Sequence, residues 1–233
     1  MRSRTPVLSN RTTPACPLCR DGDVSFFLRA DDKIYWKCSA CHIRFVDPGQ
    51  LPTVDEERRH YKLHENEIDD PGYRKFLSKL FDPMRQFLSS GMAGLDFGCG
   101  PGPVLAGMFE KAGYPMALFD PIFYPDEKVL CGQYDFIVCT ETAEHFHDPA
   151  REIDRLDMLL RPAGILGIMT CFQTDDAAFE NWHYRKDPTH VVFYREETMR
   201  YIAASRGWDC VIPTKDVAIF SKPDAEPLER TPL

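Results

Sequence analysis

The segment LDFGCGPG, residues 95–102, places a Gly-x-Gly-x-Gly turn directly after a short apolar run that ends in an acidic residue. Glycine has no Cβ, so such a turn can pass close to a ligand and adopt backbone conformations closed to other residues. The helical pattern that follows, residues 103–112, opens with backbone N–H groups that find no partner inside the helix. That end is a seat for a carboxylate. A dinucleotide fingerprint would read G-x-G-x-x-G, and counted from Gly98 its third glycine falls on Pro103. The loop therefore fits a ligand other than a pyrophosphate.

Apolar runs and helical spacing alternate through the rest of the chain. They predict strands at 92–97, 115–119, 134–140 and 164–171 and helices at 103–112, 149–160 and 196–206. A closing strand pair is expected at 208–213 and 216–221. This order argues for an α/β, doubly wound, Rossmann-like sheet whose crevice lies at the carboxyl ends of the strands. Asp120, Glu141 and Glu144 would all stand on that edge.

Four segments, in order, resemble the motifs of the class I S-adenosylmethionine (SAM)-dependent methyltransferases: LDFGCGPG, ALFDP ending at Pro121, YDFIVCTETAEHFHDP at 134–149, and LLRPAGILGIMT at 159–170. The resemblance covers residues 95–220 and implies SAM as cofactor. Carried over residue by residue, Gly98, Gly100 and Gly102 shape the cofactor loop, Cys99 contributes through its backbone, and Asp96 orders the loop. Asp120 and Pro121 sit at the ribose, and Thr140 and Glu141 on the methionine side. His145 falls where several small-molecule O-methyltransferases of the family place a histidine near substrate; it equally reads as a helix-start histidine bonded to backbone. One departure is clear. Only thirteen residues separate Asp120 from Tyr134, where the family fits a helix and a third strand. The adenine-binding acid has no counterpart there, and Phe123 or Tyr124 is the candidate cover.

Residues 182–194, WHYRKDPTHVVFY, follow the fifth strand and are dense in reactive side chains. Tyr184, Asp187 and His190 can bind or deprotonate a methyl acceptor, so Tyr184 and His190 join His145 as catalytic candidates. His183, Asp187 and His190 could in principle hold a metal, although nothing in the sequence dictates that geometry. A similar W-x-Y-x-x-D-P-T-H segment recurs in bacterial class I methyltransferases that carry an N-terminal zinc ribbon.

The cysteines supply the second strong signal. Cys16-x-x-Cys19 and Cys38-x-x-Cys41 lie eighteen residues apart, a spacing that brings four thiolates round one tetrahedral zinc ion. Short strands are expected at 24–28 and 33–37, and so small a module takes most of its folding energy from the metal. His42 follows the last cysteine and could replace it. With no export signal at the N-terminus, the nine cysteines are expected to be reduced and the protein cytoplasmic, with no membrane association.

These readings divide the chain into a zinc ribbon at 1–50, a helical linker or lid at 51–90, a SAM-binding core at 91–222 and a tail at 223–233. In the linker, Tyr73, Phe76, Leu77, Leu80, Phe81 and Met84 recur at helical spacing, and Tyr61, His64 and Asn66 are polar groups that could face the cofactor. The chain carries a net charge of −8. Residues 12–50 are balanced, five basic against five acidic, while residues 51–233 hold 20 basic against 31 acidic. A bulk RNA-binding face is disfavoured, because phosphate contacts supply most non-specific affinity. The expected acceptor is a small molecule or a carrier-bound one. A nucleic-acid acceptor docked by the ribbon, or a non-catalytic SAM-binding module, is the alternative.

Overall fold

The structure, a computed structural model, describes residues 12–61 and 70–224 and contains two sheets. The larger one forms because four consecutive apolar runs bury both faces. Strands β4 (Gly94–Phe97), β5 (Met116–Phe119), β6 (Tyr134–Thr140) and β7 (Leu160–Met169) run parallel, and β9 (Asp209–Thr214) and β10 (Val217–Ser221) extend the sheet antiparallel. The strand order is β5–β4–β6–β7–β10–β9.

Alternation along each strand sorts the side chains into two cores. Phe136, Val138, Ile165, Met169, Val217 and Ile219 face helices α2 (Pro71–Met84) and α3 (Val104–Lys111). Leu95, Phe97, Ile137, Cys139, Leu166, Ile168, Ala218 and Phe220 face α4 (Pro149–Leu159) and α5 (Glu196–Arg206). Helix α2 lies so close to β7 that a Cβ on Gly167 would come within 2.8 Å of Leu80 and Met84. The abbreviated segment after β5 forms one 3-10 turn, Glu127–Cys131, capped by Asp126, so β5 is left as the sheet edge. The largest shift of an expected boundary is at β7, which begins at Leu160 rather than 164, immediately after α4.

The smaller sheet joins β1 (Val24–Ala30), β2 (Lys33–Cys38) and β3 (Arg44–Val46) to β8 (Val192–Phe193), a strand from the segment after β7. The ribbon's sheet thus does not stop near residue 50. Phe45 pairs with Val192, the Val46 N–H bonds the Val191 carbonyl at 2.8 Å, and Phe179 packs edge to face on both Tyr35 and Phe193. Charged contacts reinforce the junction. Arg44 forks onto both oxygens of Asp176 at 2.9 and 3.0 Å, and Arg185 reaches Asp31 at 2.6 Å and the Tyr35 hydroxyl at 3.2 Å. Ahead of the core, α1 (Val54–Tyr61) starts at a Thr53/Glu56 capping box. No helix among the described residues is long and apolar enough to cross a membrane.

Candidate active site

A cleft of about 750 Å³ opens at the carboxyl ends of β4, β5 and β6. Its floor is the glycine loop. Gly98 and Gly100 both adopt left-handed φ, +78° and +63°. At Gly98 a side chain has no room either, since a Cβ would sit 2.2 Å from Thr142 Cγ2. Thr142 closes the loop onto β6, its hydroxyl lying 3.0 Å from the carbonyls of both Gly98 and Thr140. On the other side the N–H groups of Gly98 and Cys99 donate to the Phe119 carbonyl at 2.7 and 3.2 Å. At Gly100, by contrast, a Cβ would meet nothing within 4 Å, so the loop faces open cleft there.

Two carboxylates hold this loop. Asp96 is buried at the end of β4, accepts the Ala106 N–H in the first turn of α3, and has its carboxyl pushed up to about 7 by burial. Asp120 follows β5 and accepts three backbone N–H groups: Gly100 at 3.1 Å, Ile122 at 2.8 Å and Phe123 at 2.9 Å. A carboxylate offers about four acceptor positions. Asp120 therefore keeps one acceptor position for a further donor, and gains a second if the Gly100 N–H turns away. Asp120, Pro121, Ile122 and Phe123 line the cleft, whereas Tyr124 turns away into a backbone bridge with Asp120. Gly102 is buried beneath the start of α3, its carbonyl accepting the Val104 N–H at 2.7 Å. An anion seat beside a helix start, an acid for a diol and the cover of Phe123 suit the amino acid, ribose and adenine parts of SAM.

The far end of the cleft is a column of rings and carboxylates. Glu141 leaves β6 in a left-handed conformation (φ +47°), which is costly for a residue with a Cβ. Burial, and then the neighbouring Glu144 charge, raise its carboxyl to about 9, so it carries a proton at neutral pH. Glu144 is fully buried and receives the Tyr184 O–H on Oε1. The same Tyr184 oxygen lies 3.0 Å from the Thr170 hydroxyl and 3.4 Å from Glu141 Oε2. Rings of Tyr61, His145, His190 and Tyr184 follow one another at centroid spacings of 5.2, 4.8 and 4.2 Å. His145 lines the cleft, and its Nδ1 sits 3.1 Å from the Thr189 carbonyl. Burial lowers the His190 pKa and keeps the ring neutral. Against burial, hydrogen bonds from the Thr189 hydroxyl and N–H and from His60 hold Asp187 well below the usual carboxylate range.

Of the expected acceptor-side residues, His145, Asp187 and His190 reach the cleft. Tyr184 stands behind them, buried; its hydroxyl contacts Glu141 and Glu144, and its ring and carbonyl contact His190. His183 is exposed and outside the cluster; the metal-ligating group that forms with His190 contains Glu144 and His145, not His183 and Asp187. Tyr61 lines the cleft, and His64 and Asn66 lie outside the described residues. Thr140 also lines it, its hydroxyl buried without a partner among the described residues. Two contributors escaped the sequence reading. Thr142 could have been found as the hydroxyl residue two positions beyond a strand that abuts the glycine loop. His60, whose Nε2 meets Asp187 Oδ2 at 3.1 Å, had no signal in spacing.

Away from the cleft, Cys16, Cys19, Cys38 and Cys41 converge, with one ligand atom of each within 4.8 Å of the others. Sulfur pairs lie 3.4 Å apart (Cys16–Cys41) and 3.5 Å apart (Cys19–Cys38), and none is disulfide-bonded. Each knuckle ends in a left-handed residue, Arg20 and His42, both at φ 62°. His42 is exposed and does not enter the cluster. Four soft thiols around one point are a donor set that fits a structural zinc ion.

A parallel sheet with a glycine loop after its central strand and an acid after the next defines a nucleotide-type cofactor site on a Rossmann-like frame. The profile of a family described as a methyltransferase domain matches residues 67–212. The chain belongs to that family and is a class I, SAM-dependent methyltransferase. A search of curated proteins gave no match. Among solved structures, the chain is similar to a 1,6-didemethyltoxoflavin-N1-methyltransferase of Burkholderia thailandensis bound to 1,6-didemethyltoxoflavin and S-adenosylhomocysteine. The identity is 15%, the TM-score 0.48, and the alignment covers 86% of this chain and 100% of that one. It is also similar to the magnesium protoporphyrin IX methyltransferase of Synechocystis, bound to S-adenosylhomocysteine, at 16% identity and TM-score 0.47, covering 72% and 93%.

Proposed function

We propose that the chain transfers the methyl group of SAM to a small-molecule or carrier-bound acceptor, held between the glycine loop and the His145–Asp187–His190 wall. The observation that carries this reading is the single cleft running from Gly98 and Asp120 to His190. Its volume of about 750 Å³ lies in the range of roughly 300–1,000 Å³ in which small ligands are enclosed.

SAM supplies a methyl group already activated by its sulfonium charge. The chain's own residues have to align acceptor and methyl and exclude water, and such positioning is worth several kcal/mol of barrier. Gly98, Gly100, Gly102 and the backbone at Cys99 cradle the amino-acid end, ordered by Asp96. Asp120 and Pro121 take the ribose, and Thr140 with protonated Glu141 takes the methionine side. His145 and neutral His190 face the acceptor and can accept its proton, and Tyr184 orients them from behind through Glu144. Four thiolates of the ribbon hold a structural zinc. Pairing of β3 with β8 ties that ribbon to the acceptor wall, which favours a role in building the site over docking of nucleic acid. Calorimetric titration of the zinc-replete protein with SAM and with S-adenosylhomocysteine tests the cofactor half, and micromolar binding of either supports it. An acceptor screen for released S-adenosylhomocysteine tests the other half; turnover on RNA alone would overturn it.

A further inference from the structure

Besides the four cysteines, the described residues hold one other cluster of metal-ligating groups. Glu144, His145 and His190 each place a ligand atom within 4.8 Å of the others, and all three line the acceptor end of the cleft. We propose that these residues form a second metal site, one that binds a divalent first-row transition cation and presents it to an oxygen atom of the acceptor. The proposal rests on the methyl-transfer reading for its chemistry, but not for the binding itself.

The histidines are set up as ligands. His145 Nδ1 lies 3.1 Å from the Thr189 carbonyl, and His190 Nδ1 lies 2.7 Å from the Tyr184 carbonyl. A carbonyl can only accept, so each ring carries a proton on Nδ1, and the tautomer that results keeps its lone pair on Nε2. Outer carbonyls orient metal-binding imidazoles in this way. His190 Nε2 points between two carboxylates, 4.0 Å from Glu144 Oε1 and 3.9 Å from Asp187 Oδ2.

Glu144 supplies the independent observation. It is 0% exposed, and while Oε1 receives the Tyr184 hydroxyl, Oε2 has no hydrogen-bond partner among the described residues. Nor does any lysine or arginine among them form an ion pair with it. A buried carboxylate oxygen without a donor or a counter-charge is a costly arrangement. A cation between Glu144 and the two imidazoles removes that cost. Metal–ligand bonds of about 2.1 Å keep neighbouring ligand atoms roughly 3 Å apart, so loading draws the three side chains together by about 1–2 Å.

Two imidazoles and one carboxylate suit zinc, manganese or ferrous iron rather than the all-oxygen sites of calcium and magnesium. Three protein ligands leave positions open toward the cleft, as in catalytic rather than structural sites. An acceptor hydroxyl bound there becomes more acidic. With the Nε2 lone pairs of His145 and His190 on the cation, it would lose its proton to water in place of those rings, its oxygen would form the bond to the methyl carbon, and the methyl–sulfur bond would break with its electron pair left on sulfur. The class of acceptor singled out is one with a hydroxyl oxygen.

The test uses the full-length protein with its ribbon zinc retained, titrated with Mn²⁺ and followed by the electron paramagnetic resonance signal of the free ion. One Mn²⁺ bound per chain is expected. Glu144→Gln and His145→Gln should each weaken binding by at least about tenfold, since even outer-shell partners are worth 10–100-fold in metal affinity. His145 is only half-buried, so H145Q keeps the test decisive if E144Q does not fold. No uptake of Mn²⁺, Co²⁺ or Zn²⁺ beyond the ribbon's zinc would overturn the proposal. So would undiminished binding in H145Q. SAM calorimetry on the same samples separates the two readings: cation binding without SAM binding keeps the metal site and refutes the methyl-transfer reading, and the converse refutes only the site.

Discussion

Asp120 is the residue at which one substitution reports on both loop and cofactor. Its carboxylate accepts three backbone N–H groups, and one of them, Gly100 at 3.1 Å, belongs to the glycine loop. In the bound state the same group would hold the ribose hydroxyls. Hydrogen bonds to a charged group contribute about 1.5–3 kcal/mol each, so Asp120→Ala should weaken SAM binding by about 1–3 kcal/mol, roughly five- to 150-fold. The variant should also unfold earlier, because three N–H groups lose their acceptor in a site only 9% exposed. Asp120→Asn separates the effects. Its amide oxygen can still accept from Ile122 and Phe123, but its NH₂ opposes the Gly100 N–H, so stability should largely return while SAM affinity stays low. Calorimetry with SAM, paired with thermal unfolding of the unliganded protein, reads both quantities. Full SAM affinity in D120A alongside a lowered melting temperature would refute the ribose assignment and leave Asp120 as a loop staple.

Gly98→Ala places a Cβ 2.2 Å from Thr142 at φ +78°. It should cost about 2–4 kcal/mol of stability and most of the SAM affinity, and an unchanged melting temperature would contradict the packing described. Asp96 titrates near pH 7 when folded against 3.8 ordinarily. The folded chain therefore keeps a proton the unfolded chain has lost, and the stability this contributes is fully present below pH 3.8 and lost as pH rises through about 7. Asp96→Asn should flatten the fall in unfolding free energy between about pH 4 and 7, by at most about 1.4 kcal/mol per pH unit; denaturant curves at pH 5 and 7 check it. With zinc held by the four thiols as proposed, a thiol-competitive chelator that strips it should abolish methyl transfer more than SAM binding, since β8 pairs with the ribbon and sits just beyond His190. Metal analysis together with SAM calorimetry checks this, and full turnover after zinc loss would refute the coupling.

Much of this architecture was legible in the chain because it rests on short-range patterns. Apolar runs of strand length announced β4, β5, β6 and β10, and the thirteen residues after Asp120 left too little chain for another strand and helix. The two CxxC knuckles located the thiol cluster. What stayed hidden depends on residues far apart in sequence. Nothing in residues 182–194 shows that Val192 and Phe193 complete the ribbon's sheet, since a two-residue strand has no period of its own. The same holds for the pairing of His60 with Asp187, 127 positions apart.

The sequence by itself determined the class of fold and the glycine loop with the acid that bonds to it, because glycines, an acid after a strand and a helix start act through their immediate neighbours. Only the tertiary structure decided the acceptor end. There, burial raised the Glu141 carboxyl and lowered the His190 imidazole, Tyr184 was drawn behind the wall onto two carboxylates, and Glu144 and His145 gathered with His190. Desolvation and charge–charge distance are properties of packed neighbours, and no local pattern encodes them.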